Sequence, residues 1–255
     1  LQLRDPKYFD EICLQKKFTF SQKVTLRKYL TQWQARFPLR NPLDEIRQKM
    51  TATQIFKHLS DNLLRGTLVD TNYAEDEIIG TNTAPEIISK FRHAKVTSIK
   101  RFGEVFNPSN QNFRIQKTNP ALILAKKQKG FVLDAPKGFG IGDQKNYYFS
   151  HMYNCLYDCS YCFLQGMYNS ANYLVFVNYH DYQNEIAKTI KKHKEEKITF
   201  FTGYDCDSLA MEPITNFIND FVPFFSRYKK VLFAIRTKSI NNTVFRKHNP
   251  LANCI

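Results

Sequence analysis

The chain has 255 residues, of which 43% are hydrophobic and 24% charged. That composition supports a folded core and excludes wholesale disorder. Nine Gly and ten Pro are too few for a fibrous chain, and no apolar run is long enough to span a membrane. Lys and Arg outnumber Asp and Glu by 37 to 23, a net charge of +14. Residues 1–145 hold 25 of the basic and 14 of the acidic side chains, so the excess lies in the first part. Such a surface favours a polyanionic partner, nucleic acid or an anionic membrane. Leu1 in place of Met, and an end in the midst of Asn249–Ile255, predict a fragment of a longer protein. No charged head precedes an apolar stretch, so no secretory leader is read and a cytoplasmic location is expected.

In chain order, Leu26, Tyr29, Leu30, Trp33 and Phe37 follow the plausible N-cap Ser21 at helical spacing, predicting a helix over 21–37. Ile55, Phe56, Leu59 and Leu63 predict a second helix near Ala52–Leu64. Residues 66–85 are polar and read as a loop. Residues 86–130 carry ten basic side chains against Glu86 and Glu104, with a strand-like Ala121–Ala125 inside. The run 134–142 is Gly-rich but has neither dinucleotide nor P-loop spacing, so it reads as a turn.

Strands and helices then alternate. Strands are expected at Asn146–Tyr153, Tyr173–Asn178, Lys197–Thr202 and Val231–Ile235. A helix is expected over His180–Lys194. Another should start at Pro213, carry Ile214, Phe217, Ile218, Phe221 and Val222 on one face, and end or kink at Pro223. This order predicts an α/β fold with parallel strands, and two regions: a basic 1–145 and an α/β 146–255.

Three of six cysteines cluster as Cys155-Leu-Tyr-Asp-Cys159-Ser-Tyr-Cys162, in the loop after a predicted strand. Without a leader, thiols stay reduced, so convergence on a metal is the expected use. Three Cys would leave one iron of a [4Fe–4S] cluster free to bind S-adenosylmethionine. Reductive cleavage there yields a 5′-deoxyadenosyl radical. A zinc site of His151 with the three Cys, and three inert thiols, are the alternatives. Gly203 would allow close backbone approach, and Asp205 and Asp207 could bind the cofactor's amino group or ribose.

The run from Asn146 to Gly166 resembles the radical-SAM proteins of the spore photoproduct lyase family. Tyr173–Asn178, Phe200–Thr215 and Arg236–Ser239 are similar in order and spacing. The resemblance covers roughly residues 105–255 and implies a partial (β/α) barrel with the cluster after its first strand. It implies Cys155, Cys159 and Cys162 as cluster ligands and Lys238 as the partner of the SAM carboxylate. It makes Tyr161 a member of a hydrogen-return relay. The implied activity is repair of a UV lesion in DNA, driven by a one-electron reductant such as flavodoxin or ferredoxin, without a membrane. Ten basic residues, Lys90, Arg92, Lys95, Lys100, Arg101, Arg114, Lys117, Lys126, Lys127 and Lys129, would then contact phosphates.

Two departures stand out. Phe163 replaces the tyrosine that follows the last cluster Cys in the lyases. The hydrogen-donating thiol falls either on Tyr204, with Cys206 at a SAM-binding serine, or on Cys206, with Ser208 as that serine. A radical-SAM enzyme on another substrate, or a zinc-stabilised nucleic-acid-binding module, remain the other readings.

Overall fold

The computed structural model describes residues 68–255 except 107–112, 143–144, 158, 160, 241–243, 246–247 and 249–251, together with Gln54, Lys57, Asp61 and Gly66. The predicted helix over 21–37, Cys13 and most of the helix near Ala52–Leu64 lie outside the described residues. Gln54, Lys57 and Asp61 are helical.

Nine strands form two sheets among the described residues. The first has the order β2-β1-β3-β7-β6. It comprises β1 (Thr71–Glu75), β2 (Lys95–Ile99), β3 (Leu122–Ala125), β6 (Met152–Tyr153) and β7 (Tyr173–Phe176). All its pairings are parallel except β6 with β7. The second has the order β4-β5-β8-β9. There β5 (Lys145–Tyr148), β8 (Ile198–Phe201) and β9 (Val231–Ala234) are parallel, and β4 (Leu133–Asp134) runs antiparallel to β5. Every residue of β3, β7 and β8 is buried. Short unbroken apolar runs of this kind mark parallel strands covered on both faces. The α/β expectation with parallel strands therefore holds.

The polar stretch 66–85 is not a loop. It contains β1, flanked on both sides in parallel, then α1 (Asp76–Ile79) and α2 (Thr83–Ser89), which continues to residue 89. Two of its polar residues, Asn72 and Glu75, are buried on β1, and backbone groups satisfy the Glu75 carboxylate. Glu75 is fully buried; Phe102 N–H donates to its Oε1 at 2.7 Å and Lys126 N–H to its Oε2 at 2.9 Å. One carboxylate thus ties β1 to the 3₁₀ turn Phe102–Glu104 and to the exit of β3. Hydrophobic periodicity cannot register a strand held this way.

The predicted strand 146–153 is two strands in two sheets. Phe149 N–H still donates to Phe201 O at 3.0 Å, beside β5. By His151 the chain has crossed over, since Phe176 N–H donates to His151 O at 2.8 Å. Residue 145 is no seam: the first sheet joins strands from 71–125 with strands from 152–176. Residues 50–255 cluster as one unit.

The helices include α3 (Phe113–Thr118), α4 (Leu164–Met167), α5 (Tyr179–Lys192), α6 (Glu212–Thr215) and α7 (Phe217–Phe225). Pro223 does not end the predicted helix; the break is earlier, at Asn216 with φ 53°, and Pro223 lies inside α7. An interior proline costs about 3 kcal/mol. Phe217, Phe221, Phe224 and Phe225 are all buried on that helix, and each contributes about 1.5–3 kcal/mol. Burial wins. Phe217, Phe221 and Phe225 meet Phe149, and Phe225 stacks on Phe233 at 4.2 Å.

Candidate active site at the carboxyl ends of the strands

The cysteine loop leaves β6 through Asn154, which has φ 64°. Asn154 Nδ2 donates to Ser170 O at 2.7 Å and Asn172 O at 2.8 Å, pinching the loop's two ends together. Leu156 and Tyr157 are buried and anchor its first turn. None of Cys155, Cys159 and Cys162 is in a disulfide. Tyr157 N–H donates to Cys155 Sγ at 3.5 Å, and the Asp207 N–H donates to it as well. Burial pushes the Cys155 thiol up to about 12, with the Asp207 carboxylate adding to the shift. Cys162 N–H bonds Cys159 O at 2.9 Å. Tyr161 and Phe163 project outward, 75% and 58% exposed.

His151 does not join this loop's thiols. It is buried and stacks on Phe217, ring centroids 4.0 Å apart. Burial, then the nearby Lys127 charge, lowers its pKa to about 3, so it is a neutral core residue. Stacked on Phe217 and not gathered with the thiols, His151 is not placed as the fourth ligand of a Cys3His zinc site. Among the described residues no three His, Cys, Asp or Glu side chains are gathered closely enough to hold a metal ion. The donor chemistry of the loop nonetheless fits an iron–sulfur group: three soft thiols within one short loop, with backbone N–H groups already donating to one sulfur.

Across from the cysteines lies the segment after β8. Gly203 has φ 80°, and a Cβ there would stand 2.6 Å from Arg236 O and 2.8 Å from Ser208 Oγ. Only glycine lets this segment press against the exit of β9. Ser208 N–H donates to Arg236 O at 3.0 Å, and Arg236 N–H to Ser208 Oγ at 3.2 Å. Thr202 bonds the same hydroxyl. Asp207 accepts from Thr237 Oγ1 at 2.7 Å, Leu209 N–H at 3.0 Å and Lys238 N–H. Both Asp207 oxygens and the Ser208 hydroxyl are thus engaged in joining two strand ends. Lys238 is brought to the cysteine loop, its Nζ 5.2 Å from the Tyr161 ring centroid and hydrogen-bonded to that tyrosine. Tyr204 lies among Tyr148 (4.5 Å), Phe139 (4.9 Å) and Phe163 (5.7 Å), so it touches the cysteine loop.

Cys206 and Asp205 point the other way, into the interior. Cys206 is 2% exposed and its thiol is raised well above its ordinary pKa by burial, with Cys155, Asp207 and Asp205 adding to it. The Met152 N–H donates to its sulfur. Asp205 is buried and hydrogen-bonds Tyr168, whose phenol is raised chiefly by burial. Tyr168 stacks on Tyr153 at 5.0 Å, and burial pushes Tyr153 up to about 12.

Lys127 completes this group, and the sequence does not disclose it. Within Lys126-Lys127-Gln128-Lys129 it reads as one more surface cation. It is 6% exposed instead, because the chain turns inward after the buried β3. Other members of the expected phosphate footprint are also committed. Arg101 and Lys126 pair with Glu77 at 2.8 and 3.3 Å. Lys90 pairs with Glu86 at 3.3 Å and donates to Ile214 O at 2.8 Å. Arg92, Lys95, Lys100 and Lys129 are exposed, and the Arg114 side chain lies outside the described residues.

The cysteine loop, which follows the antiparallel β6, thus meets Asp207 and Lys238 beyond the carboxyl ends of the parallel strands β8 and β9, the site-bearing edge of an α/β protein. The fold is that of solved structures of spore photoproduct lyase. A tyrosine-to-phenylalanine variant of that enzyme is 20% identical, with a TM-score of 0.56 over 67% of this chain and 50% of the other. A variant with bound AdoMet and dinucleoside spore photoproduct is 18% identical, TM-score 0.55, covering 66% and 49%. A complex with dinucleoside spore photoproduct is also 18% identical, TM-score 0.54, covering 66% and 49%. The chain therefore spans about half the length of these structures. No protein-family model and no curated protein matches the sequence. Among the described residues no helix is long and apolar enough to cross a membrane.

Proposed function

We propose that the chain is a radical S-adenosylmethionine enzyme acting on a nucleic-acid lesion, a DNA repair lyase of the spore photoproduct lyase kind. The observation that carries it is the loop Cys155–Cys162, three thiols outside any disulfide, beside the carboxyl ends of β8 and β9 in a fold shared with that enzyme. Cys155, Cys159 and Cys162 would hold a [4Fe–4S] cluster. Their side chains would be drawn together by the metal itself, since ligation couples to local folding. When bound, the cluster and S-adenosylmethionine supply a 5′-deoxyadenosyl radical that abstracts hydrogen.

The chain's own residues have separable tasks in this scheme. Lys238 meets the cofactor carboxylate, as a charge-assisted hydrogen bond. Asp207 and Ser208 place Lys238 and Arg236 by the bonds described above, and Gly203 permits that closeness. Asp205 faces the interior with Cys206. Cys206 is the hydrogen donor, because burial and acidic neighbours keep it as S–H, the form that has a hydrogen atom to give. Tyr161 and Tyr204 flank the cysteine loop as relay or contact phenols. A flavodoxin- or ferredoxin-like protein would deliver the electron, and DNA would be held by the exposed basic residues and read by base extrusion. Phe163 favours a second reading, a radical-SAM enzyme on another substrate, because a phenyl ring has no O–H to relay hydrogen.

The test is anaerobic iron–sulfide reconstitution, then reduction with S-adenosylmethionine and assay of 5′-deoxyadenosine, with and without UV-irradiated DNA. The expected result is a brown protein that cleaves the cofactor, and a Cys159→Ala variant that binds no complete cluster. A colourless protein after reconstitution, or a fully loaded Cys159→Ala variant, would overturn the assignment.

A further inference from the structure

Lys127 is a buried cation that nothing above employs. Asn178 clamps its backbone in both directions: Lys127 N–H donates to Asn178 Oδ1 at 2.9 Å, and Asn178 Nδ2 donates to Lys127 O at 3.0 Å. The side chain is thereby aimed across the interior. Its Nζ donates to Tyr153 Oη at 3.2 Å. Three rings enclose it: Tyr153 and Phe176 at 5.0 Å and Tyr182 at 5.7 Å from their centroids. The titratable groups facing it are His151 and Tyr153 from around β6, Tyr182 from α5, and Asp205 and Cys206 from the segment after β8. Tyr168 joins through Asp205.

Asp205 is buried and hydrogen-bonds Tyr168, which stacks on Tyr153, the ring whose hydroxyl accepts from Lys127. Lys127 follows β3, and Asp205 sits directly before Cys206 in the segment after β8, so this chain of contacts joins the exits of the two strands. We infer that Lys127 is a positioning residue: its ammonium, through Asp205 and the Tyr153–Tyr168 pair, holds the Asp205–Cys206 segment in its interior place. The inference deepens the proposed function, whose hydrogen donor is Cys206, and also rests on it for that thiol's purpose.

Burial lowers the Lys127 pKa to about 8, with Asp205 and then Cys206 opposing the drop. The hold should therefore weaken as the pH rises through that value. The experiment is alkylation of the full-length protein with iodoacetamide, with Cys206 labelling followed by peptide mass spectrometry and normalised to Cys254 in the same molecules. Lys127→Met fills the same space without charge; Lys127→Arg keeps a charge that is not lost with pH. The expected result at pH 7 is about tenfold or greater loss of Cys206 protection in Lys127→Met, and little loss in Lys127→Arg. In the parent, normalised protection falls above about pH 8, whereas in Lys127→Arg it persists to pH 10. Protection retained in Lys127→Met, lost alike in Lys127→Arg, or independent of pH in the parent would overturn the inference. If Lys127→Met does not fold, the pH comparison of parent and Lys127→Arg decides alone. Alkylation needs neither cluster nor substrate. A protein that shows this pattern but forms no 5′-deoxyadenosine would thus overturn the radical assignment and leave the holding role standing.

Discussion

Gly203→Ala is the sharpest probe of how the strand ends are held. The added methyl carbon would sit 2.6 Å from Arg236 O and 2.8 Å from Ser208 Oγ, closer than side-chain carbons approach such atoms. The backbone also carries φ 80°, which costs an L-residue about 1–2 kcal/mol by itself. Overpacking adds about 1–3 kcal/mol, so the expected loss is about 2–5 kcal/mol. Gly138 provides the control: its φ is 81° and nothing lies within 4 Å of a Cβ there. Gly138→Ala should therefore show the conformational cost alone. Urea unfolding of both variants against the parent, compared at constant m, measures the difference. Equal losses for the two substitutions would refute the claim that Gly203 is there to let the segment after β8 press on the exit of β9.

The other expectations concern pH and charge. Glu212 is buried between α6 and α7, and both its oxygens accept Ile218 N–H at 3.1 Å. Burial raises its pKa to about 8 from an ordinary 4.5, so the folded state binds a proton more tightly than the unfolded state. Its contribution is complete below the unfolded pKa and is lost as pH rises to about 8, a fall of order a few kcal/mol. Unfolding free energies across that range should show the fall in the parent and a flatter curve in Glu212→Gln. DNA affinity should weaken steeply with salt. Replacing exposed Arg92 and Lys95 by Glu should lower the log–log slope by about two, whereas removing buried Lys127 should leave the slope alone. An unchanged slope in the surface variant would remove those two residues from the footprint.

Much of the α/β order is legible from local pattern. Leu122–Ala125 and Tyr173–Phe176 are unbroken apolar runs and Ile198–Phe201 is broken only by Thr199, the pattern of strands buried on both faces. The helix Tyr179–Lys192 shows its apolar stripe of Tyr182 and Ile186. The cysteine loop is legible for a chemical reason, since three thiols at that spacing have few other uses. β1 was illegible because two of its inward-facing residues, Asn72 and Glu75, are polar, and the bonds that satisfy Glu75 come from distant backbone. Pro223 misled because the decisive term, burial of four Phe side chains, depends on what α7 packs against.

The amino-acid sequence by itself determined the parallel-strand architecture of the second half, the cysteine loop and the positions of Lys238, Asp207 and Ser208 along the chain. These follow from residue type and spacing within short windows. Only the tertiary structure decided that His151 is a neutral core ring, that Asp207 serves Thr237 and Lys238, and that one lysine of a basic run is interior. Each of those depends on partners 24 to 79 residues away, and charge or hydrogen-bonding in a protein interior is set by such partners rather than by neighbours in the chain.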